Sequence, residues 1–407
     1  MDLITIIAEK MVFGGNSIGK FEGKTVFIPY AVPGEKLEVR IVSESSKKDY
    51  DIAEIVNIVE KSDKRVVPEC RYYGICGGCN MMHIAEDEQK KIRKEMLIEL
   101  FANNGISLNG EEVKVLSGKS TGYRARFQLN NGGLCEKKGN KVVDIKKCLC
   151  AENPVNEYLS KNEINSRPKG RVQLFGSEKL VSENDKVIIA SNEERKTAPA
   201  IVGKKNKKLK IKQKHYFSGT IESPENTACV ELDGEKIWFD VRGFFQSNLE
   251  VFEKTGQLIR EQLGSGKNVL DMYAGCGSIS VFLSKSFENI TLVEHNRDAL
   301  VFAEKNLAGK KHISYGLSGE TWAKTCSTQV TFDAAVIDPP RSGMEKAVLE
   351  YLKTSDIPVL ACLSCDPATQ ARDVSFLTKH GYKITGTWLL DFYPNTSHIE
   401  SLVILRK

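Results

Sequence analysis

From about residue 241 onward, short apolar runs of strand length alternate with stretches of helical periodicity. That alternation admits few folds, and it predicts a doubly wound, mostly parallel sheet. The runs are Asn268–Tyr273, Thr291–His295, Phe332–Asp338, Pro358–Leu363, and then residues 382–391 and 401–406. The first leads into Ala274-Gly275-Cys276-Gly277, a glycine turn before the apolar helix Ile279–Leu283. Glu294 follows that turn by about 20 residues, where an acidic side chain receives ribose hydroxyls in such sheets. The turn lacks the third glycine of a dinucleotide fingerprint, so an adenosyl cofactor without a phosphate cradle fits better. Ligands of open α/β sheets bind beyond the carboxyl ends of the strands, and Tyr273, Glu294, Asp338 and Cys365 all stand at such ends.

Cys365 follows a buried strand and precedes Asp366-Pro367, an N-cap with proline at the first helical position. Ala368, Ala371, Val374 and Leu377 recur at helical spacing, and Gly381 is the stop. A cysteine at a helix N-terminus is expected to gain thiolate character from the dipole. The same local sequence also suits a buried structural cysteine. Glu400 lies in the connection between the last two strands. If residues 382–391 run parallel to the earlier strands, that connection shares their rim, and Glu400 becomes a candidate base for the Cys365 nucleophile.

The 407 residues predict two or three domains. Residues 1–60 carry short strands at 25–28 and 37–42 punctuated by glycines, the pattern of a small β-barrel. Its Lys20, Lys24, Arg40, Lys47 and Lys48 suit either a phosphate backbone or a solvated rim. Residues 61–240 hold a helix at 86–104 and strand-like pieces at 124–129, 186–190 and 228–239. Seven lysines fall within Lys204–Lys214, followed by His215, Tyr216 and Phe217; the run reads as a solvated loop or a phosphate track beside stacking aromatics. The net charge of +5 permits a nucleic-acid partner without demanding one. The start of the chain has no basic, apolar leader, and no apolar stretch reaches membrane-spanning length, so a cytoplasmic protein with no membrane partner is expected.

In that compartment eleven cysteines argue for metal, catalysis or burial rather than disulfides. Cys70, Cys76 and Cys79 are spaced by five and then two residues around Gly77-Gly78. The glycines let the thiolates converge. Cys148, Cys150 and Cys135 are the candidates for a fourth ligand. The five-residue spacing departs from zinc-ribbon patterns and favours an iron–sulfur cluster, with zinc as the competitor.

Together these residues resemble the S-adenosylmethionine-dependent RNA uracil-5-methyltransferases, over nearly the whole chain. Val32-Pro-Gly-Glu35 looks like the family's TRAM domain, an OB-like RNA-binding barrel. Cys70, Cys76, Cys79 and Cys148 are similar to its [4Fe–4S] ligand set. Gly243-Phe-Phe-Gln246-Ser-Asn248, Asp338-Pro-Pro-Arg341-Ser-Gly343, Ser364-Cys365-Asp-Pro-Ala-Thr369 and Asp391-Phe-Tyr-Pro-Asn-Thr396-Ser-His398-Ile-Glu400 look like its methyltransferase motifs. The cofactor turn departs from the family's frequent Cys-Gly-x-Gly-Asn, with Ser278 in place of Asn, and Asp366 stands where Asn is frequent.

The resemblance implies an OB-like barrel over 1–60, a β-rich central domain with an iron–sulfur cluster over 61–240, and a Rossmann-like class I methyltransferase domain over 241–407. It implies Cys365 addition to C6 of a flipped-out uridine and removal of the C5 proton by Glu400. S-adenosylmethionine would be held by Gln246, Tyr273, Glu294 and Asp338. It points to 23S rRNA and a monomer. Transfer RNA is the rival substrate, disfavoured because the bacterial transfer-RNA branch generally lacks the TRAM and cluster parts that residues 1–80 supply here. A cytosine-5 enzyme is disfavoured by Ser364 before the cysteine, and a non-catalytic iron–sulfur RNA-binding module by the intact Cys365–Glu400 pair.

Overall fold

The computed structural model describes residues 3–43, 49–137, 139, 141–181, 186–191, 226–328 and 330–407. The lysine run Lys204–Lys214, the aromatics after it, and Lys47 and Lys48 lie outside the described residues.

Strands β1 (Leu3–Ile7), β2 (Lys10–Val12), β3 (Asn16–Phe21), β4 (Lys24–Pro29), β5 (Lys36–Ser43) and β6 (Tyr50–Glu60) form one sheet in the order β1-β5-β6-β4-β3-β2. All its pairings are antiparallel except β4 with β6. Alternation along the strands puts Val26, Ile28, Leu37 and Val39 on the buried face. The Val32–Glu35 turn is held by a buried ion pair: the Glu35 carboxylate accepts from Val32 N at 2.9 Å and from Arg65 Nη2 at 2.7 Å. Burial pushes the Glu35 carboxyl up, but Arg65 and these donors overcome it and hold the group below its ordinary range.

Helix α1 (Glu86–Ala102) ends two residues short of the expected 104, capped by Asn103, with Gly105 in the left-handed conformation. β7 (Val113–Leu116) follows. Next come β8 (Arg126–Asn130), β9 (Leu134–Cys135), β10 (Val142–Val143), α2 (Asn153–Lys161), β11 (Arg171–Gly176) and β12 (Val187–Ser191). β8, β11 and β12 make an antiparallel sheet around Phe127, Val172 and Leu174, and α2 packs Val155 and Leu159 into it. The strand-like run at 228–239 is not one strand but a hairpin, β13 (Thr227–Leu232) and β14 (Glu235–Asp240). Asp233 and Gly234, both at positive φ, make its two-residue turn. This is the Asp-Gly hairpin signal, which the apolar run on either side obscures.

The C-terminal sheet contains β15 (Gly266–Met272), β16 (Phe287–Val293), β17 (His312–Tyr315), β18 (Ala334–Ile337), β19 (Val359–Ser364), β20 (Lys383–Leu390) and β21 (Glu400–Arg406). Its order is β17-β16-β15-β18-β19-β21-β20-β7, so β7 caps the far edge, parallel to β20. β21 is antiparallel to both neighbours, which makes β20 parallel to β19. Helices α3 (Leu249–Leu263), α4 (Ser278–Leu283) and α5 (Arg297–Asn306) cover one face, meeting Val269, Val336 and Ala361. α6 (Gly319–Thr325), α7 (Lys346–Thr354), α8 (Pro367–Thr378) and α1 cover the other, meeting Leu270, Ala335 and Leu360. Burial on both faces explains why these strands read as continuous apolar runs. Among the described residues, no helix is long and apolar enough to cross a membrane.

Candidate active site

β15 ends in strain that shapes the cavity floor. Tyr273 takes φ 68°, a conformation that costs a non-glycine residue, and Gly275 and Gly277 follow at positive φ. A Cβ at Gly277 would lie 3.0 Å from the Ala303 Cβ, so glycine permits α4 to approach α5 closely. Glu294, at the end of β16, accepts from Gly275 N at 2.9 Å and Asn296 N at 2.6 Å, which fixes the carboxylate beside the turn. The Tyr273 hydroxyl donates to Glu345.

The antiparallel insertion of β21 sets the chemistry. Ser364 of β19 pairs with Ser401 of β21. One residue outward on each side stand Cys365 and Glu400, on the same rim. Gln246, Tyr273, Glu294, Asp338, Arg341, Cys365 and Glu400 all line one cavity of about 480 Å³. The six residues predicted from sequence as nucleophile, base and cofactor contacts are therefore brought together. The Gln246 Oε1 is buried with no partner.

Carboxylates crowd this cavity. Burial pushes the Glu400 carboxyl up to about 8, with Asp338 adding repulsion and Arg341 partly offsetting it. Burial raises Asp338 to about 6. Beneath them Asp271, wholly buried in β15, is raised to about 7 by burial, against a 2.6 Å hydrogen bond from Ser280 Oγ, while Asp338 and Glu294 add repulsion. Such a site is short of a cation. Asp271 was missed in the sequence, although a lone Asp inside Val269-Leu-Asp-Met272 was the signal for it.

Cys365 departs from expectation. Its thiol is pushed up, first by burial and then by the Glu400 and Asp338 carboxylates, with Arg341 acting the other way. The helix N-terminus gives it little help because Asp366 has taken the free donors: its Oδ1 accepts from Ala368 N at 3.1 Å and Thr369 N at 3.2 Å. In the sequence Arg341 is only one member of the Asp338–Gly343 motif; that its guanidinium acts on both Cys365 and Glu400 is a feature of the fold.

The loop between β20 and β21, which delivers Glu400, is bolted in place. Arg93 of α1 pairs with Asp391 at 2.7 Å, both side chains 1% exposed. Tyr123 OH donates to Pro394 O at 3.0 Å and Asn248 Nδ2 to Phe392 O at 3.2 Å. Asn395, at φ 67°, is bracketed by Gln89, which accepts from its N–H at 2.9 Å and donates to its Oδ1 at 3.2 Å. Arg124 lies over the Tyr393 and Phe127 rings, a basic and aromatic wall next to the cavity.

A second cavity, of about 380 Å³, is lined by sulfur: Cys70, Cys76, Cys79, Cys135, Cys148 and Cys150. Cys79 Sγ and Cys150 Sγ are 3.7 Å apart. Among the described residues, no group of three His, Cys, Asp or Glu converges as the ligands of one metal ion do.

The family model described as tRNA (Uracil-5-)-methyltransferase matches residues 324–407, and that of a methyltransferase small domain matches residues 248–354. An uncharacterized RNA methyltransferase of Treponema denticola is 34% identical, with 98% of this chain and 98% of that protein covered. The 23S rRNA (uracil(1939)-C(5))-methyltransferase RlmD of Aliivibrio fischeri is 27% identical over 99% of this chain and 96% of its own length. The crystal structure of Pyrococcus abyssi tRNA (uracil-54, C5)-methyltransferase with S-adenosyl-L-homocysteine has a TM-score of 0.70 at 21% identity, covering 99% of this chain and 100% of that one. That likeness establishes the fold: a class I methyltransferase sheet behind a β-rich N-terminal region.

Proposed function

The chain belongs to the family of RNA methyltransferases, and on that premise we propose that it methylates C5 of a uridine in 23S rRNA, using S-adenosylmethionine. The observation that carries this reading is the pairing of Ser364 with Ser401, which sets Cys365 beside Glu400 on the rim of a cavity rich in carboxylates.

The cavity fits the cofactor. S-adenosylmethionine, when bound, would supply a methyl group on a sulfonium cation, and that charge would draw the raised Asp338 and Glu400 carboxyls toward their ionised forms. Gln246, with its unpartnered Oε1, and Tyr273 would hold the same molecule with Glu294 and Asp338. C5 of uracil is too weak a nucleophile to be methylated unaided. Cys365 Sγ adds to C6, which places an enolate across C4–C5 and makes C5 nucleophilic. After methylation Glu400 removes the C5 proton, the enolate re-forms, and the C6–S bond breaks to release Cys365. Arg341 faces both groups, where its charge favours the thiolate before addition and the carboxylate before proton removal. The uridine must leave its stack to reach this rim, and the Arg124–Tyr393 wall suits the flanking RNA.

The sulfur-lined cavity fits a [4Fe–4S] cluster held by Cys70, Cys76, Cys79 and Cys148, whose bonds would cross-link the 70–79 loop to the segment before α2. In this reading residues 1–60 are a TRAM-type RNA-binding domain, 61–240 the central cluster domain and 241–407 the methyltransferase domain. The protein works as a cytoplasmic monomer.

RNA containing 5-fluorouridine tests the chemistry, because the fluorine at C5 cannot leave as a proton. Wild type should form a covalent adduct that survives denaturation, and Cys365→Ala should not. Equal behaviour of the two overturns the catalytic reading. Mapping 5-methyluridine in total RNA from a strain lacking the protein tests the substrate: loss from transfer RNA in place of 23S rRNA rejects that part. Brown colour lost in Cys79→Ser supports the cluster, and stoichiometric zinc in a colourless protein rejects it.

A further inference from the structure

The two cavities are joined by a path only a few residues long. Cys79 lines the sulfur cavity, and the next two residues grip the loop that carries Glu400. Asn80 N and Met81 N both donate to Asn395 O, at 3.2 and 3.0 Å. Ser397 N donates to Asn80 Oδ1 at 2.9 Å, and Asn80 Nδ2 donates to Ser397 Oγ at 2.9 Å. Asn80 thus reads both the backbone and the side chain of Ser397, three residues before the candidate base. The N-terminal sheet closes the same junction. A Cβ on Gly15, in the turn between β2 and β3, would lie 2.5 Å from Asn80 Nδ2 and 2.5 Å from Ser397 Oγ.

We propose that Asn80 is a positioning residue for Glu400, so that the order of the cysteine loop sets the rate of C5 proton removal. The proposal rests on the Cys365–Glu400 reading above. The step it governs is the last one: Glu400 takes the C5 proton, the C5–H electrons re-form the C5–C6 double bond, and the C6–S bond breaks to return the thiolate of Cys365. Cys365 itself sits between β19 and α8, outside the clamp. Loosening Asn80 therefore spares addition and methylation but stalls release. A displacement of about 1 Å at a catalytic group costs about 100-fold.

The test uses full-length protein purified without oxygen and 23S rRNA from a strain lacking the protein. Wild type, Asn80→Ala, Asn80→Asp and Glu400→Gln are compared for turnover, visible absorbance, and covalent enzyme–RNA adduct on denaturing gels. Glu400→Gln is expected to accumulate methylated adduct; if it does not, the reading of the base fails, whatever Asn80 does. Asn80→Ala is expected to keep the wild-type absorbance, lose about 10- to 100-fold in kcat with KM falling alongside it and kcat/KM nearly unchanged, and accumulate the same adduct. Asn80→Asp keeps an oxygen at Oδ1 and can accept from the Ser397 hydroxyl, so it should restore release. Asn80→Ala turning over like wild type overturns the proposal, as does slow turnover without adduct, which would put the defect in binding or addition. Should Asn80→Ala lose its absorbance, Gly15→Ala, which wedges the same clamp from the N-terminal sheet and leaves the cysteine loop intact, is judged by the same criteria.

Discussion

The pH dependence of adduct breakdown reports on Glu400 as the proposed base. In the methylated adduct of the proposed reaction Cys365 would be a thioether that no longer titrates, and the spent cofactor would have lost its positive charge. What sets the Glu400 carboxyl is then burial first, Asp338 second and Arg341 in opposition, the same influences that hold it at about 8. The sign follows from the raised value: the proposed base is mostly protonated below pH 8 and becomes competent as pH rises through it. With that midpoint the ionised share is about 1% at pH 6, about 9% at pH 7, about 50% at pH 8 and about 91% at pH 9. The breakdown rate should therefore rise about 50-fold from pH 6 to 8 and level off above pH 9. Adduct formed slowly at pH 6 with excess enzyme is jumped to a series of higher pH values, and its decay is followed on denaturing gels. Asp338→Asn removes the neighbouring repulsion and should shift the midpoint downward. A decay rate flat from pH 6 to 9, or one that falls with pH, would refute the assignment of Glu400 as the base.

Arg93→Met strands a buried Asp391 and should cost about 3–5 kcal/mol in chemical denaturation, most of it recovered when Asp391→Leu is added. A single variant within about 1 kcal/mol of wild type would show the pair to be dispensable. Gln246→Leu, which deletes a buried and unpartnered acceptor, should weaken S-adenosylhomocysteine about tenfold by calorimetry; an unchanged Kd removes Gln246 from the cofactor site. Gly256→Ala puts a Cβ 2.6 Å from the Phe282 ring, and the overpacking of about 1–3 kcal/mol should outweigh the gain of about 1 kcal/mol in helix propensity, lowering the thermal midpoint.

The site was legible where chemistry and local structure coincide. Glu294, Asp338 and Cys365 each end a strand whose apolar run marks its direction, and the glycine turn after Tyr273 separates an adenosyl pocket from a dinucleotide one. Glu400 was harder: its place depended on the direction of β20, which only the antiparallel insertion of β21 settles. The upward shift of the Cys365 thiol was not legible, because helix-terminus reasoning takes the donors to be free, whereas Asp366 caps them. The Asn80–Ser397 clamp and the Arg93–Asp391 pair join residues about three hundred positions apart, a separation that no local pattern records. The four-residue β7 carries too little periodicity to reveal that it belongs to the C-terminal sheet.

That strand bears on how the chain can be cut. β7 is made early in synthesis, yet it waits for β20, pairing Val113 with Thr387 across the last edge of the sheet. A fragment beginning at residue 241 would keep the Cys365–Glu400 rim but leave β20 with a row of unpaired N–H and C=O groups. It would also strip α1 from the apolar face that includes Val374 and Leu377. Open edges of that kind recruit strands from other molecules. A fragment cut at the first methyltransferase motif is therefore expected to self-associate, and one that keeps α1 and β7 to do so less.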